Sequence, residues 1–275
     1  MEIRDILLLM HASQPDHPAL GVAAELARGH GAVVEAICRF DDPEMEVADG
    51  FAIGPAGVCD VLTRREDRVR ELTVRAHDAF TAQLGRAGVG WELLEPGEPL
   101  SYAAWRAASA DLVVLPRPTP GDHNAIALAE SLVLSSGAPC LAVPASSRSG
   151  GVFSRILVAW NGSREAKHAL DGGMALLKQA PTVEILVVGD PSGWIEHHPG
   201  EALIEHLGRH GVRASFRQAP KDQAAAEVVL GECSALGADL LVMGAYGHAR
   251  SAEVVLGGAT RDILLHAPLP VFMVH

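Results

Sequence analysis

The sequence predicts an α/β protein of two doubly wound domains. Each is a five-stranded parallel sheet in the order 3-2-1-4-5 with helices on both faces. Short apolar runs bounded by Gly or Pro alternate with Ala-rich helical segments, and such runs read as strands buried in a parallel sheet. The pattern also occurs twice. Ile6–Met10 and Ile156–Trp160 each lead into a polar turn and an Ala-rich helix. Asp111–Leu115 matches Asp239–Met243, and Gly137–Val143 loosely matches Ala267–Val274. The period of about 130 residues is too long for a solenoid and marks two related domains. Their boundaries are read as 1–145 and 152–275, and Ala145–Gly151 has the composition of a flexible linker.

In the first domain the strands are expected at Ile6–Met10, Val33–Cys38, Trp91–Leu94, Asp111–Leu115 and Pro139–Val143. A helix is expected over Pro18–His30, where proline suits the first helical turn. Asp41–Asp60 is rich in Gly, Pro and acid and reads as a long loop. Leu62–Arg86 reads as an amphipathic helix with Val69, Leu72, Ala76, Phe80 and Leu84 on its core stripe. Ser101–Ser109 and Asn124–Ser135 complete the helices. The second domain repeats the plan, with strands at Arg155–Trp160, Thr182–Val188, Arg213–Ala219, Leu240–Met243 and Val271–Val274. Its helices are expected at Ser163–Lys178, Gly200–His210 and Gln223–Leu236, with one more after the glycines near Gly257.

Composition bounds the function. A net charge of −12 argues against a nucleic-acid partner, because no basic face would neutralise phosphates. No apolar run approaches the ~20 residues of a membrane span. The N-terminus lacks a signal-peptide plan. Four scattered cysteines without a C-x-x-C suit a reduced cytoplasm. No G-x-x-x-x-G-K-[ST], G-x-G-x-x-G or G-x-S-x-G is present, which excludes a P-loop and a serine-hydrolase elbow. Zinc at His197, His198, His206 and His210 is set against the simpler reading of surface histidines, and no metal is assigned.

The chemistry concentrates in Asp239–His275. Gly244 follows a strand, Gly247 comes three residues later, and Gly257 and Gly258 precede a helical segment. Gly244 permits a sharp exit and a close ligand approach. The helix start offers bare N–H groups and a dipole to an anion. A doubly wound sheet binds ligands at the carboxyl ends of its strands, where strand order reverses, so this loop meets Ala159-Trp160-Asn161 in space. Glycines also end strands and start helices without any ligand, so spacing alone leaves both readings open.

Gly-x-x-Gly, nine residues, then Gly and a small residue, followed by A-P-L-P-V, resembles the ATP-binding signature of the universal stress protein family. The resemblance covers nearly the whole chain as a tandem of two copies. It implies that Ala159, Trp160 and Asn161 line the adenosine end and that Val188 flanks the adenine. Met243, Gly244, Tyr246 and Gly247 would cover the ribose and phosphates, and Gly257, Gly258 and Ala259 would cradle the phosphates. ATP is the implied ligand, with ADP or AMP as alternatives. Two residues depart from the pattern: Asn161 stands where the family has Asp, and Gly258 where it has Ser or Thr. Thr260 is a second candidate hydroxyl, and Arg250 could neutralise a phosphate or simply be exposed.

The first copy has lost the motif. Pro116-Arg117-Pro118-Thr119-Pro120-Gly121 replaces the glycine loop, and proline supplies no N–H to a phosphate. This half is expected to be structural or to hold a different ligand. His248 and Asp262 lie near the glycine loop without a visible partner, so no enzyme is assigned. The resemblance implies a nucleotide-responsive stress regulator with a protein partner. Leu141–Val143 would pair with Val271–Val274 in an intramolecular pseudo-dimer, and a further homodimer is compatible with it. The alternatives are an interaction module without nucleotide and an adenine-nucleotide hydrolase.

Overall fold

The computed structural model describes residues 2–40, 54–94, 100–148, 150–189, 200–247 and 258–275. The first half carries strands β1 (Asp5–His11), β2 (Val33–Arg39), β3 (Gly88–Leu94), β4 (Leu112–Pro116) and β5 (Cys140–Val143). Its helices are α1 (Pro18–His30), α2 (Gly54–Leu84), α3 (Leu100–Ala107) and α4 (His123–Ser135). The second half carries β6 (Arg155–Ala159), β7 (Thr182–Val188), β8 (Ala214–Ala219), β9 (Leu240–Gly244) and β10 (Val271–Val274). Its helices are α5 (Arg164–Gly172), α6 (Met174–Leu177), α7 (Glu201–Arg209), α8 (Ala225–Leu236) and α9 (Gly258–His266).

Among the described residues the strands form one ten-stranded sheet in the order β3-β2-β1-β4-β5-β10-β9-β6-β7-β8. Each half has the expected 3-2-1-4-5 order. The halves join where β5 and β10 pair antiparallel, Ala142 opposite Val271 and Cys140 opposite Met273. All other pairs are parallel. Without this pairing each half would expose a bare apolar edge, which is a liability in water.

Alternation along the strands divides the core into two layers. Ile6, Leu8, Val114, Leu141, Ile156, Val158 and Phe272 face α1, α2 and α5 to α7. Leu7, Leu9, Val113, Leu115, Leu157, Met243 and Met273 face α3, α4, α8 and α9. The two halves also repeat a tertiary bond. Asp111 Oδ2 accepts from the N–H groups of Arg4 and Asp5 at 2.8 and 3.0 Å. Asp239 accepts from those of Ser154 and Arg155 at 2.8 and 2.9 Å.

Several expectations are corrected. The helix α2 begins at Gly54, inside the stretch read as a loop to Asp60; residues 41–53 of that stretch lie outside the described residues. On its stripe Ala76, Phe80 and Leu84 are buried, whereas Val69 and Leu72 are half-buried. The single helix expected over Ser163–Lys178 breaks at Gly173 into α5 and α6. There the Gly172-Gly173 backbone lies against Pro139, Val242 and Phe272, and glycine lowers helix propensity by about 1 kcal/mol. The linker ends in a packed residue. Gly151 is buried at φ 89°, and a Cβ there would lie 2.8 Å from the Val22 carbonyl oxygen of α1.

Candidate functional site

The carboxyl ends of β6 and β9 meet at the point where strand order reverses in the second half. The chain leaves β6 through Ala159, Trp160 and Asn161. Trp160 N–H still donates to the Leu186 carbonyl at 2.8 Å, and its ring packs partly buried on the core. Asn161 is exposed. Its Oδ1 accepts from Ser163 N–H at 3.0 Å, a local turn that Gly162 completes at φ 73°. Ser163 then caps α5, its Oγ accepting from Ala166 N–H at 3.2 Å. Val188 ends β7 half-buried beside this turn's strand.

The strand β9 runs Met243-Gly244 into Ala245-Tyr246-Gly247. Met243 is buried in the core, so its backbone alone faces the strand end. Packing dictates glycine at 244. A Cβ there would lie 2.6 Å from the Glu165 carbonyl carbon and closer still to Ala166 N, so α5 rests directly on this residue. Ala245 N–H donates to the Val274 carbonyl at 2.8 Å. Tyr246 adopts φ 60°, the left-handed region that favours glycine. Its N–H donates to Thr260 Oγ1 at 3.2 Å. Thr260 is buried, so the hydroxyl considered for phosphate instead ties the loop to α9. The Tyr246 hydroxyl is buried as well. Burial, and next the charge of Glu130, push its pKa up, against the opposing effect of Arg261. Glu130 belongs to α4 and Arg261 to α9, 3.6 Å apart across the junction of the halves. The Tyr246 side chain therefore reaches into that junction.

Glu165 is a site residue that the sequence reading passed over. It lies in the first turn of α5, buried, and its Oε2 is 2.7 Å from where a Cβ on Gly247 would stand. Its own backbone N–H holds the carboxyl below the ordinary carboxylate range. Burial opposes this, and Arg164 supports it, with Nη2 3.2 Å from Oε1. An acid two residues after a Ser cap, on the helix following the first strand of a doubly wound unit, was the available signal.

Gly247, Gly258 and Ala259 are exposed. No atom of the described residues lies within 4 Å of a Cβ placed on Gly258, at the start of α9. The first four N–H groups of a helix lack intrahelical partners and carry its positive end. Gly257, His248 and Arg250 lie outside the described residues, as do His197 and His198. His206 and His210 meet edge to face with ring centroids 4.7 Å apart. Among the described residues no group of three or more His, Cys, Asp or Glu could hold a metal ion. The site is thus an anion-attracting helix start beside a strand-end turn, with the Glu165 carboxylate beneath Gly247.

A family model described as the universal stress protein family matches residues 153–275. The likeness to that family is therefore carried by the C-terminal half. The Synechocystis universal stress protein Slr1230 is 28% identical over 148 residues, which are 52% of this chain and 48% of that protein. The chain thus spans about half the length of the curated relative it matches. A solved universal stress protein from Archaeoglobus fulgidus superposes with a TM-score of 0.67 at 15% identity, over 98% of this chain and 95% of that one. A functionally unknown protein from Pseudomonas aeruginosa gives 0.62 at 15% identity, over 99% and 92%. At that identity the likeness concerns the fold, and it extends the universal stress protein architecture over both halves.

Proposed function

We propose that the C-terminal half binds an adenine nucleotide, ATP in the first instance, and that binding rather than catalysis is its role. The observation that carries this reading is the start of α9 at Gly258, facing the strand-end turn at Gly247 in the half that matches the universal stress protein family. In this reading Ala159, Trp160, Asn161 and Val188 hold the adenosine. Gly244 and Gly247, with Met243 and Tyr246 between and behind them, shape the turn. Gly257, Gly258 and Ala259 receive the phosphates. Arg164 offsets the Glu165 carboxylate near Gly247. The tandem of domains 1–145 and 152–275, a cytoplasmic location, a homodimer and a protein partner belong to the same proposal.

Protein purified without added nucleotide should release ATP, ADP or AMP on denaturation, near one equivalent per chain by mass spectrometry. Gly247→Val should lose it, because the new side chain meets the Glu165 carboxylate. No carried nucleotide, together with no calorimetric binding at millimolar ATP, would overturn the reading and favour an interaction module.

A further inference from the structure

The first half carries the counterpart of this site, rebuilt with side chains in place of backbone donors. The register makes the correspondence residue by residue. Pro116 pairs with Val143 as Gly244 pairs with Val274. Arg117 N–H donates to the Val143 carbonyl at 2.7 Å, as Ala245 N–H donates to that of Val274 at 2.8 Å. Arg117 thus occupies the place of Ala245, a residue buried completely in the second half. A side chain at that place is directed inward.

A cavity of about 140 Å³ opens there. Leu9, Met10, Leu115, Leu128 and Ala129 give it an apolar floor. Arg39, Arg117, His17 and Asp122 give it a polar rim. Arg39 Nη2 lies 3.4 Å from Asp122 Oδ2, and Asp122 also caps α4 by accepting from Ala125 N–H at 2.8 Å. Among the described residues Asp122 is the one carboxylate that lines the cavity, and it is matched to Arg39. The other arginine, Arg117, has its Nε and Nη1 buried and without a hydrogen-bond partner among the described residues. Buried donors on a charged group are costly to leave unpaired. His17 Nδ1 accepts from Ala19 N–H at 3.1 Å, so the neutral ring carries its proton on Nε2 and adds another donor. Burial, and next the Arg117 charge, hold this ring neutral, with its pKa lowered to about 4.

We propose that this cavity binds a small organic anion, its carboxylate or phosphate on the Arg117 guanidinium and its short apolar body on the floor. The planar fork of Arg117 suits either oxyanion in a bidentate bond. Prolines on both sides, Pro116 and Pro118, restrict the backbone that presents it. The size sets the class. At ~10–15 Å³ per water-sized site the cavity holds about ten non-hydrogen atoms. That is well below the ~300 Å³ at which pockets for larger ligands begin, so an adenine nucleotide is excluded here. This site stands whether or not the second half binds ATP.

The test is calorimetric titration of the full chain at constant ionic strength with benzoate, hexanoate and phenyl phosphate. One equivalent of at least one probe should bind with a sub-millimolar Kd, unchanged by saturating ATP. A preference for benzoate and hexanoate over phenyl phosphate would identify the oxyanion as a carboxylate, and the reverse as a phosphate. Arg117→Met should weaken binding at least tenfold, and Arg117→Lys, which keeps the charge without the fork, by less. The His17 ring resonance, assigned through His17→Gln, should shift on titration of the unaltered protein, a readout independent of the arginine variants folding. No saturable binding of any probe up to 10 mM would overturn the proposal. So would binding that ATP displaces, or that leaves the His17 resonance unmoved.

Discussion

Gly244→Ala tests whether glycine at the strand end is dictated by packing. The added Cβ would lie 2.6 Å from the Glu165 carbonyl carbon and 2.9 Å from its Cβ, with Ala166 N nearer still. Ordinary contact is about 3.4 Å or more, so β9 and α5 must separate by roughly 1 Å to clear the nearest atom, in an interior packed like an organic crystal. The obstructing atoms are backbone and cannot rotate away. Overpacking typically costs 1–3 kcal/mol, and the fixed obstruction places this change near about 3 kcal/mol. At roughly 2–4 °C per kcal/mol, Tm should fall by about 6–12 °C. Gly258→Ala is the matched control. Its Cβ meets no atom of the described residues within 4 Å, so it should be neutral or slightly stabilising. Urea unfolding followed by circular dichroism measures both. The packing account is falsified if Gly244→Ala stays within about 0.5 kcal/mol of the unaltered protein.

Gly258→Ser adds a hydroxyl that meets none of the described residues, and a hydrogen bond to a charged acceptor is worth about 1.5–3 kcal/mol. ATP affinity should rise about tenfold by calorimetry; unchanged affinity would remove the start of α9 from the phosphate site. Glu165→Gln takes a buried negative charge from beneath Gly247 and should tighten ATP roughly fivefold while leaving adenosine nearly unchanged. Equal effects on both ligands would refute a phosphate near that carboxylate. His17 binds its proton at an ordinary 6.5 when unfolded and at about 4 when folded. Its contribution to stability is complete above pH 6.5 and is lost as pH falls toward 4. The gap corresponds to about 3 kcal/mol at most, cut to about 1–2 by solvent screening of a partly exposed ring. Between pH 7.5 and 4.5 the protein should lose that much relative to His17→Gln in urea unfolding, and equal losses would refute the assignment. Burial pushes the thiols of Cys38, Cys140 and Cys233 up to about 12. They should react with a disulfide reagent only on unfolding, and rapid labelling of any of them in the native protein would contradict their burial.

Tyr246 links the candidate site to the junction of the halves. Its backbone lies in the strand-end turn in a conformation that costs a non-glycine residue about 1–2 kcal/mol. Its hydroxyl lies near Glu130 and Arg261, on opposite sides of the junction. A Tyr246→Gly variant would relieve the backbone and empty the junction together, so Tyr246→Phe is the substitution that isolates the hydroxyl.

The sequence by itself determined the strands, their order and the internal repeat, whereas the β5–β10 pairing came from the family resemblance. The strands and the repeat rest on local signals: apolar runs of strand length, Ala-rich helical stretches and glycine or proline at their ends. It also located the strand ends where β6 and β9 meet, because that follows from order alone. Tertiary structure decided what each residue there does. Gly244 reads as a ligand-facing glycine until α5 is seen resting on it. Thr260 reads as a phosphate donor until its hydroxyl is found holding Tyr246 N–H. Glu165 reads only as an acid behind a Ser cap until its carboxylate is found beneath Gly247, and Pro-Arg-Pro reads only as a lost motif until Arg117 is found beside a cavity. Each of these depends on contacts between residues far apart in the chain. Strand and helix periodicity reports which way a side chain faces, and packing alone decides what it meets.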